Sequence, residues 1–239
     1  MVFADIHTHI LHGVDDGAKS SKQMCQMVDQ AYADGVRILC LTPHYHPGYF
    51  GENREASEQA FAELRAYAEK YPDLQLHLAN ELRWTHSATE WLDRGQCRTL
   101  GEANAVLVDF SAAEREKVIT GGLDRLLSAG YAPILAHVER YQNLRGKWDT
   151  LEQMKLRGVR LQITAGALTG AFGLQTGWHA RELARRRLAD FAASDAHDPD
   201  RRKPEMSGAW HWLRKKCSEQ YAQALCLENA RALLLVGKE

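Results

Sequence analysis

Histidines and carboxylates recur directly after short apolar runs of this chain, in spacings suited to gripping a divalent metal ion. The first run, residues 2–6, leads into His7-Thr8-His9, with Asp15-Asp16-Gly17 shortly behind. The second leads into Thr42-Pro43-His44-Tyr45-His46. Later runs lead into Asn80-Glu81, Asp109, His137-Val138-Glu139-Arg140 and Ser194-Asp195-Ala196-His197. Residues two apart on an extended chain point the same way. His7 and His9 can therefore hold one ion together, and Asp195 and His197 repeat the spacing near the other end. Imidazole and carboxylate donors without thiolate suit zinc, manganese or iron and do not choose among them. A carboxylate such as Glu81 can bridge two ions and offset the repulsion between them. A lone histidine is more often an ordinary hydrogen-bonded residue, and His12, His77, His86, His179 and His211 lack a ligand-like partner. His46 lies beside His44 but serves equally well as a loop residue. Asp15 and Asp16 alone would only make a turn, with Gly17 as its permissive backbone.

The elements that must position these side chains alternate along the sequence. Apolar, β-rich runs at 2–6, 36–41, 74–78, 105–108, 134–136, 159–163 and 189–193 predict seven strands. Helical patterns fall between most of them. One starts near Ser21, with Met24, Met27, Val28 and Ala31 on one face and Gly35 after its end. Others cover 54–71, 114–129, 148–157 and 177–187. Such alternation predicts parallel strands with crossover helices, an α/β fold closed or nearly closed into a β/α barrel. In barrels of that kind the catalytic face lies at the carboxyl ends of the strands. Six strand ends here deliver a His, Asp or Glu to that face.

Bulk properties narrow the classes. A chain of 239 residues suits one large domain, with 45% hydrophobic and 26% charged residues as in ordinary globular proteins. Thirty Lys and Arg against 31 Asp and Glu give no whole-molecule attraction to nucleic acid or membrane, so anion recognition must come from placed arginines. No signal peptide and no membrane-length apolar run is visible. The five cysteines are odd in number and form no CxxC pair, so reduced thiols and a cytoplasmic setting are expected.

The segments DIHTHILHGVDDG, TPHYHPGYF, NELRW, LVDFS, ILAHVERYQ, QITAGALTGAFG and ASDAHDPDRRKP, in that order, resemble the polymerase and histidinol phosphatase (PHP) superfamily. Within it the chain is similar to the CpsB/CapC branch, bacterial tyrosine phosphatases associated with capsular and exopolysaccharide synthesis. The likeness runs from Asp5 to Pro204, and residues 228–234 resemble the family's closing helix. It implies a distorted, TIM-like barrel of seven strands in a single domain, with three divalent ions, manganese foremost. One ion would lie among His7, His9, Glu81 and Asp195. A second would be held by Glu81, Asp109 and His137, and a third by Asp16, His44 and His197. The resemblance prefers Asp16 to Asp15 and leaves His12 outside. Where the branch often carries Glu, this chain has Asp109, one methylene shorter, so a weaker or water-bridged second site is expected.

The implied activity is hydrolysis of phosphotyrosine, on the tail of a membrane-associated tyrosine autokinase that controls polysaccharide export. Metal ions lower the pKa of water and so make a hydroxide nucleophile available near neutral pH. Arg140 and Arg202 match the branch's phosphate-binding positions, and a guanidinium can grip two oxygens at once. Arg201 is adjacent to Arg202, and the run Arg201-Arg202-Lys203 reads equally well as a solvated surface. A phenol leaves readily, with a pKa near ~10, so a dedicated acid is dispensable; Asp198 is the nearest candidate. The aromatic loop 45–50 offers rings for stacking, and the glycine-rich stretch 166–173 offers a close approach to substrate or simply tight turns.

Other classes fit less well. A cysteine-based tyrosine phosphatase pairs its nucleophile with an arginine six residues on, where this chain has Ala31, His46, Ala103, Gln223 and Ala232. An amidohydrolase often adds a carboxylated lysine at a central strand end, and none stands there. A nuclease lacks a basic, aromatic-rich signal. The nearest alternatives are a small-molecule phosphatase such as a histidinol-phosphate phosphatase, and a metal-stabilised barrel serving as a binding scaffold.

Overall fold

The computed structural model describes residues 1–50, 54–101 and 104–235. Among the described residues there are nine strands: β1 (Phe3–Asp5), β2 (Val36–Leu41), β3 (His44–Tyr45), β4 (Gln75–Leu78), β5 (Glu81–Arg83), β6 (Ala105–Asp109), β7 (Ala132–Leu135), β8 (Arg160–Thr164) and β9 (Phe191–Ala193). They form two parallel sheets, β1-β2-β4 and β3-β5-β6-β7-β8-β9. All seven expected runs carry a strand. The difference is that the second and third are each broken, which adds β3 and β5 and divides the sheet.

The break has a local cause. Pro43 has no N–H to give to a ladder. Asn80 turns its backbone away, donating to Arg98 O at 3.2 Å and accepting Arg98 N–H on its side chain at 2.9 Å. The Asn80 amide then donates to Pro43 O at 3.0 Å and stitches the two interrupted strands together. At the far edge an isolated Thr8–Ala196 bridge joins the ends of β1 and β9. His9 N–H donates to Ala196 O at 2.8 Å and Asp195 N–H to His7 O at 2.9 Å. The result is a strongly curled parallel sheet whose strands all end on one side.

Helices α1 (Ser21–Asp34), α2 (Arg54–Ala68), α3 (Ala88–Asp93), α4 (Glu116–Ser128), α5 (Trp148–Leu156), α6 (Ala165–Thr169), α7 (Leu174–Arg185) and α8 (Ser207–Lys216) follow or join the strands. In α1 the Ser20 side chain accepts Gln23 N–H, and Gly35 ends the helix in a left-handed conformation. Its buried face is Met24, Met27, Val28 and Ala31, as the spacing predicts. A closing helical segment runs through α9 (Glu219–Gln223), a π-helical turn (Ala224–Glu228) and α10 (Asn229–Leu235).

Alternation sorts the strands into two cores. Ile38, Cys40, Ala79, Leu107, Ile134, Phe191 and Ala193 pack inside with Leu227, Ala230 and Leu233 of the closing helix. Leu39, Leu41, Val106, Val108 and Leu135 face outward under the helices. The same inward parity reaches Glu81, Asp109 and Asp195 two residues beyond Ala79, Leu107 and Ala193, and His44 four beyond Cys40. The pattern that fills the interior with apolar groups thus lifts charged groups into its mouth.

Candidate metal centre

Four ligand-type side chains from three places in the sequence meet at the mouth. His7 Nε2 and His9 Nε2 are 3.2 Å apart. Each lies 3.3 Å from Glu81 Oε2 and 3.5 Å from Asp195 Oδ1. Ligands about 2.0–2.1 Å from a tetrahedral ion stand about 3.3–3.4 Å from one another. The spacing is that of a coordination shell.

Proton placement supports the same reading. His7 Nδ1 lies 3.0 Å from Gln162 Oε1. The backbone N–H of His137 also donates to that atom, at 2.9 Å. An atom that accepts a backbone N–H is the amide oxygen, so His7 carries its proton on Nδ1 and its Nε2 is a lone pair. His9 Nδ1 faces Asp15 Oδ2 at 2.7 Å and is protonated for the same reason. When both rings are neutral, two imidazole lone pairs and two carboxylate oxygens then converge. A divalent cation fits that donor set.

The other predicted residues adjoin this cluster. Glu81 Oε1 lies 2.9 Å from His137 Nε2, and Asp109 Oδ1 lies 3.6 Å from the same nitrogen. Asp16 Oδ1 is 3.5 Å from His44 Nε2 and 3.4 Å from His197 Nε2. His44 Nδ1 is 2.9 Å from Glu81 Oε2, so one carboxylate touches all three groups. His9 belongs to two of them, beside His7 and Asp195 and beside Asp16, His44 and His197. The backbone is strained at two of these positions. His137 and Asp195 have φ of 32° and 53°, a left-handed region uncommon for side chains of this kind. Gly17 is also required, because a Cβ there would lie 1.9 Å from His9 O.

Electrostatics show a site short of cations. Burial disfavours a charged His9 and His44, but Asp15 and Glu81 respectively outweigh it and lift both rings to about 9. Burial also opposes ionisation of Glu81, yet His7 and His44 hold it well below the ordinary range. Burial and the neighbouring His9 push His197 down to about 4.

Beside the ligand cluster lies an open cleft of about 490 Å³. Arg140 and Arg202 line it, both donating to Asp195 Oδ2, Arg202 at 2.6 Å. One Asp195 oxygen thus holds guanidinium groups while the other faces the histidines. Arg201 lies instead in a neighbouring cavity with Phe172 and Lys203. The Asp198 carboxylate is occupied by the backbone N–H groups of Asp200, Arg201 and Arg202. Of the aromatic loop, Tyr45 is buried against Trp91, Tyr49 is exposed at the cleft and Phe50 stacks on His44. The glycine-rich stretch forms α6 and a turn that sets Phe172 beneath Arg140. His12 pairs with Glu63, His86 with Arg125, and His179 with Glu139 O, all away from the cluster.

A family model described as "Capsular polysaccharide synthesis, CpsB/CapC" matches residues 3–235. The chain belongs to the CpsB/CapC family. It is 30% identical over 237 residues to a Streptococcus pneumoniae protein named tyrosine-protein phosphatase CpsB, covering 97% of this chain and 98% of that one. It is 31% identical over 232 residues to the Bacillus subtilis tyrosine-protein phosphatase YwqE, covering 96% and 91%. A solved structure superposes with a TM-score of 0.89 at 30% identity, over 97% of this chain and 94% of that chain. It comes from work on YwqE from Bacillus subtilis and CpsB from Streptococcus pneumoniae, described there as "unique metal-dependent tyrosine phosphatases".

Sequence reasoning passed over four residues that shape this CpsB/CapC site. Asp15 orients His9, and Gln162 orients both His7 and His137. Tyr141 OH donates to Asp109 Oδ1 at 3.3 Å, and Arg83 donates to Asp109 Oδ2. Gln162 had a readable signal: it is an amide flanked by Leu161 and Ile163 on β8, and it is fully buried.

Proposed function

We propose that this chain is a metal-dependent protein-tyrosine phosphatase working with three divalent ions, manganese first among the candidates. His7, His9, Glu81 and Asp195 would hold one ion, Glu81, Asp109 and His137 a second, and Asp16, His44 and His197 a third. Bound ions would activate water as the nucleophile and neutralise phosphoryl charge. The observation that carries the reading is the convergence of imidazole nitrogens of His9, His44 and His137 on Glu81, beside two guanidinium groups, at the floor of an open cleft.

Arg140 and Arg202 bind and orient the phosphoryl group, each offering a planar fork of donors. Their shared grip on Asp195 keeps both forks at the edge of the ligand cluster. Tyr49 and Phe50 border the same cleft and offer faces for the phenyl ring of the substrate. A phenolate leaving group, with its conjugate acid near pKa ~10, departs without a dedicated acid. The engaged Asp198 carboxylate is consistent with that. The proposed substrate is a phosphotyrosine protein, the tail of a membrane-associated tyrosine autokinase in polysaccharide synthesis. The proposed setting is cytoplasmic; among the described residues no helix is long and apolar enough to cross a membrane. The curled sheet is read as one distorted seven-stave barrel in a single domain, β2 with β3 and β4 with β5 each making one interrupted stave.

The test is a parallel assay of metal-reconstituted protein on a phosphotyrosine peptide, a phosphoserine peptide, histidinol phosphate and a phosphodiester. Preference for the phosphotyrosine peptide supports the reading. Higher kcat/KM on histidinol phosphate overturns it.

A further inference from the structure

Arg83 stands where the reaction scheme above gives it no part. It lies two residues after Glu81 on β5 and shares its inward face, while the intervening Leu82 is buried among the outward apolar groups. The β5–β6 register sets Arg83 directly opposite Asp109. Across that pair the Arg83 guanidinium donates to Asp109 Oδ2, and also to Phe110 O at 3.1 Å. Asp109 Oδ1 is left facing His137 Nε2 at 3.6 Å, with Tyr141 OH beside it at 3.3 Å. The Asp109 side chain is 7% exposed and that of Arg83 32%, so the pair sits at the wall of the cleft.

Asp195 has the same construction. Arg140 and Arg202 hold its Oδ2, and its Oδ1 faces His7 and His9. In both cases one carboxylate oxygen is pinned by guanidinium and the other faces imidazole nitrogen. An aspartate has two soft side-chain torsions and two equivalent oxygens. Pinning one oxygen selects the rotamer that presents the other.

We infer that Arg83 is a positioning residue for the metal site made by Glu81, Asp109 and His137, acting through Asp109. It fixes the short carboxylate in the one orientation that points Oδ1 at His137. The inference rests on the metal reading of the cluster. Outer partners of metal ligands typically change affinity by about 10–100-fold when removed.

The test titrates metal-stripped full-length protein with Mn²⁺ against a competing chelator, for the parent, Arg83→Gln, Arg83→Lys, Asp109→Asn and the Arg83→Gln/Asp109→Asn double variant. Circular dichroism and melting temperature establish that each is folded. Arg83→Gln should weaken one class of Mn²⁺ site by about 10–100-fold and leave the others unchanged. Arg83→Lys should recover part of the loss, since Lys supplies a point charge without the planar fork. In the Asp109→Asn background Arg83→Gln should add little, because its effect runs through that carboxylate. Parent-like or tighter Mn²⁺ binding by Arg83→Gln overturns the inference. An undiminished further loss in the Asp109→Asn background overturns it as well. A parent protein that takes up no divalent ion would instead sink the metal reading itself.

Discussion

Replacing Asp15 by Ala removes an acceptor that no metal ligand can replace. Asp15 Oδ2 accepts His9 Nδ1–H at 2.7 Å and the His44 backbone N–H at 3.0 Å, while Oδ1 accepts Gly17 N–H at 2.9 Å. Without it nothing fixes the proton of His9 on Nδ1, and the tautomer with hydrogen on Nε2 can no longer offer that nitrogen as a donor. A hydrogen bond to a charged group contributes about 1.5–3 kcal/mol. Loss of the carboxylate behind a ligating imidazole lowers metal affinity by about 10–100-fold, or about 1.4–2.8 kcal/mol, so the two scales agree. His9 borders two of the ligand groups, so two classes of site should weaken together. Asp15→Asn should fall between parent and Ala, because one amide oxygen cannot serve all three donors. The assay is Mn²⁺ titration of metal-stripped protein with elemental analysis, alongside His9→Ala. If Asp15→Ala binds Mn²⁺ like the parent while His9→Ala does not, the orienting role is wrong.

Three further outcomes are expected. Arg140→Ala should keep near-normal metal content, since Arg202 still holds Asp195 Oδ2, yet lose about 10–100-fold in kcat/KM on a phosphotyrosine peptide; parent-like kinetics would move the phosphate pocket elsewhere. Replacing all five cysteines with Ser or Ala should leave turnover largely intact, because burial raises every thiol above its ordinary value; one-to-one loss of activity on alkylating a single Cys in folded protein would overturn this. Burial lowers His179 from 6.5 to about 4, so its contribution to stability is complete above pH 6.5 and is lost as pH falls toward 4. Denaturant unfolding at pH 7 and pH 5 should show the parent losing about 2 kcal/mol more than His179→Gln, and equal losses would contradict that.

The convergence of the candidate ligands was legible because strand periodicity is local. His7 and His9 needed only a two-residue spacing, and the inward parity of Ile38 and Cys40 already led to His44. The strand breaks were not legible in the same way. Pro43 is a visible stop, but the resumption at His44 depends on Asn80 reaching across from another strand. Asp15 illustrates the limit more sharply. Its neighbour Asp16 lies beside His44 and His197 while Asp15 lies behind His9, and only the turn at Gly17 separates the two directions. The pairing of Arg83 with Asp109 depends on the β5–β6 register, which no feature of either segment fixes alone.

The most direct test of the account is chelation and reconstitution. Protein stripped of metal, with its metal content verified by elemental analysis, is assayed on a phosphotyrosine peptide before and after Mn²⁺ is restored. Activity should vanish in the stripped protein and return as Mn²⁺ fills the ligand cluster, but not in His7→Ala or Asp195→Ala. Full activity in verified metal-free protein would contradict the central claim.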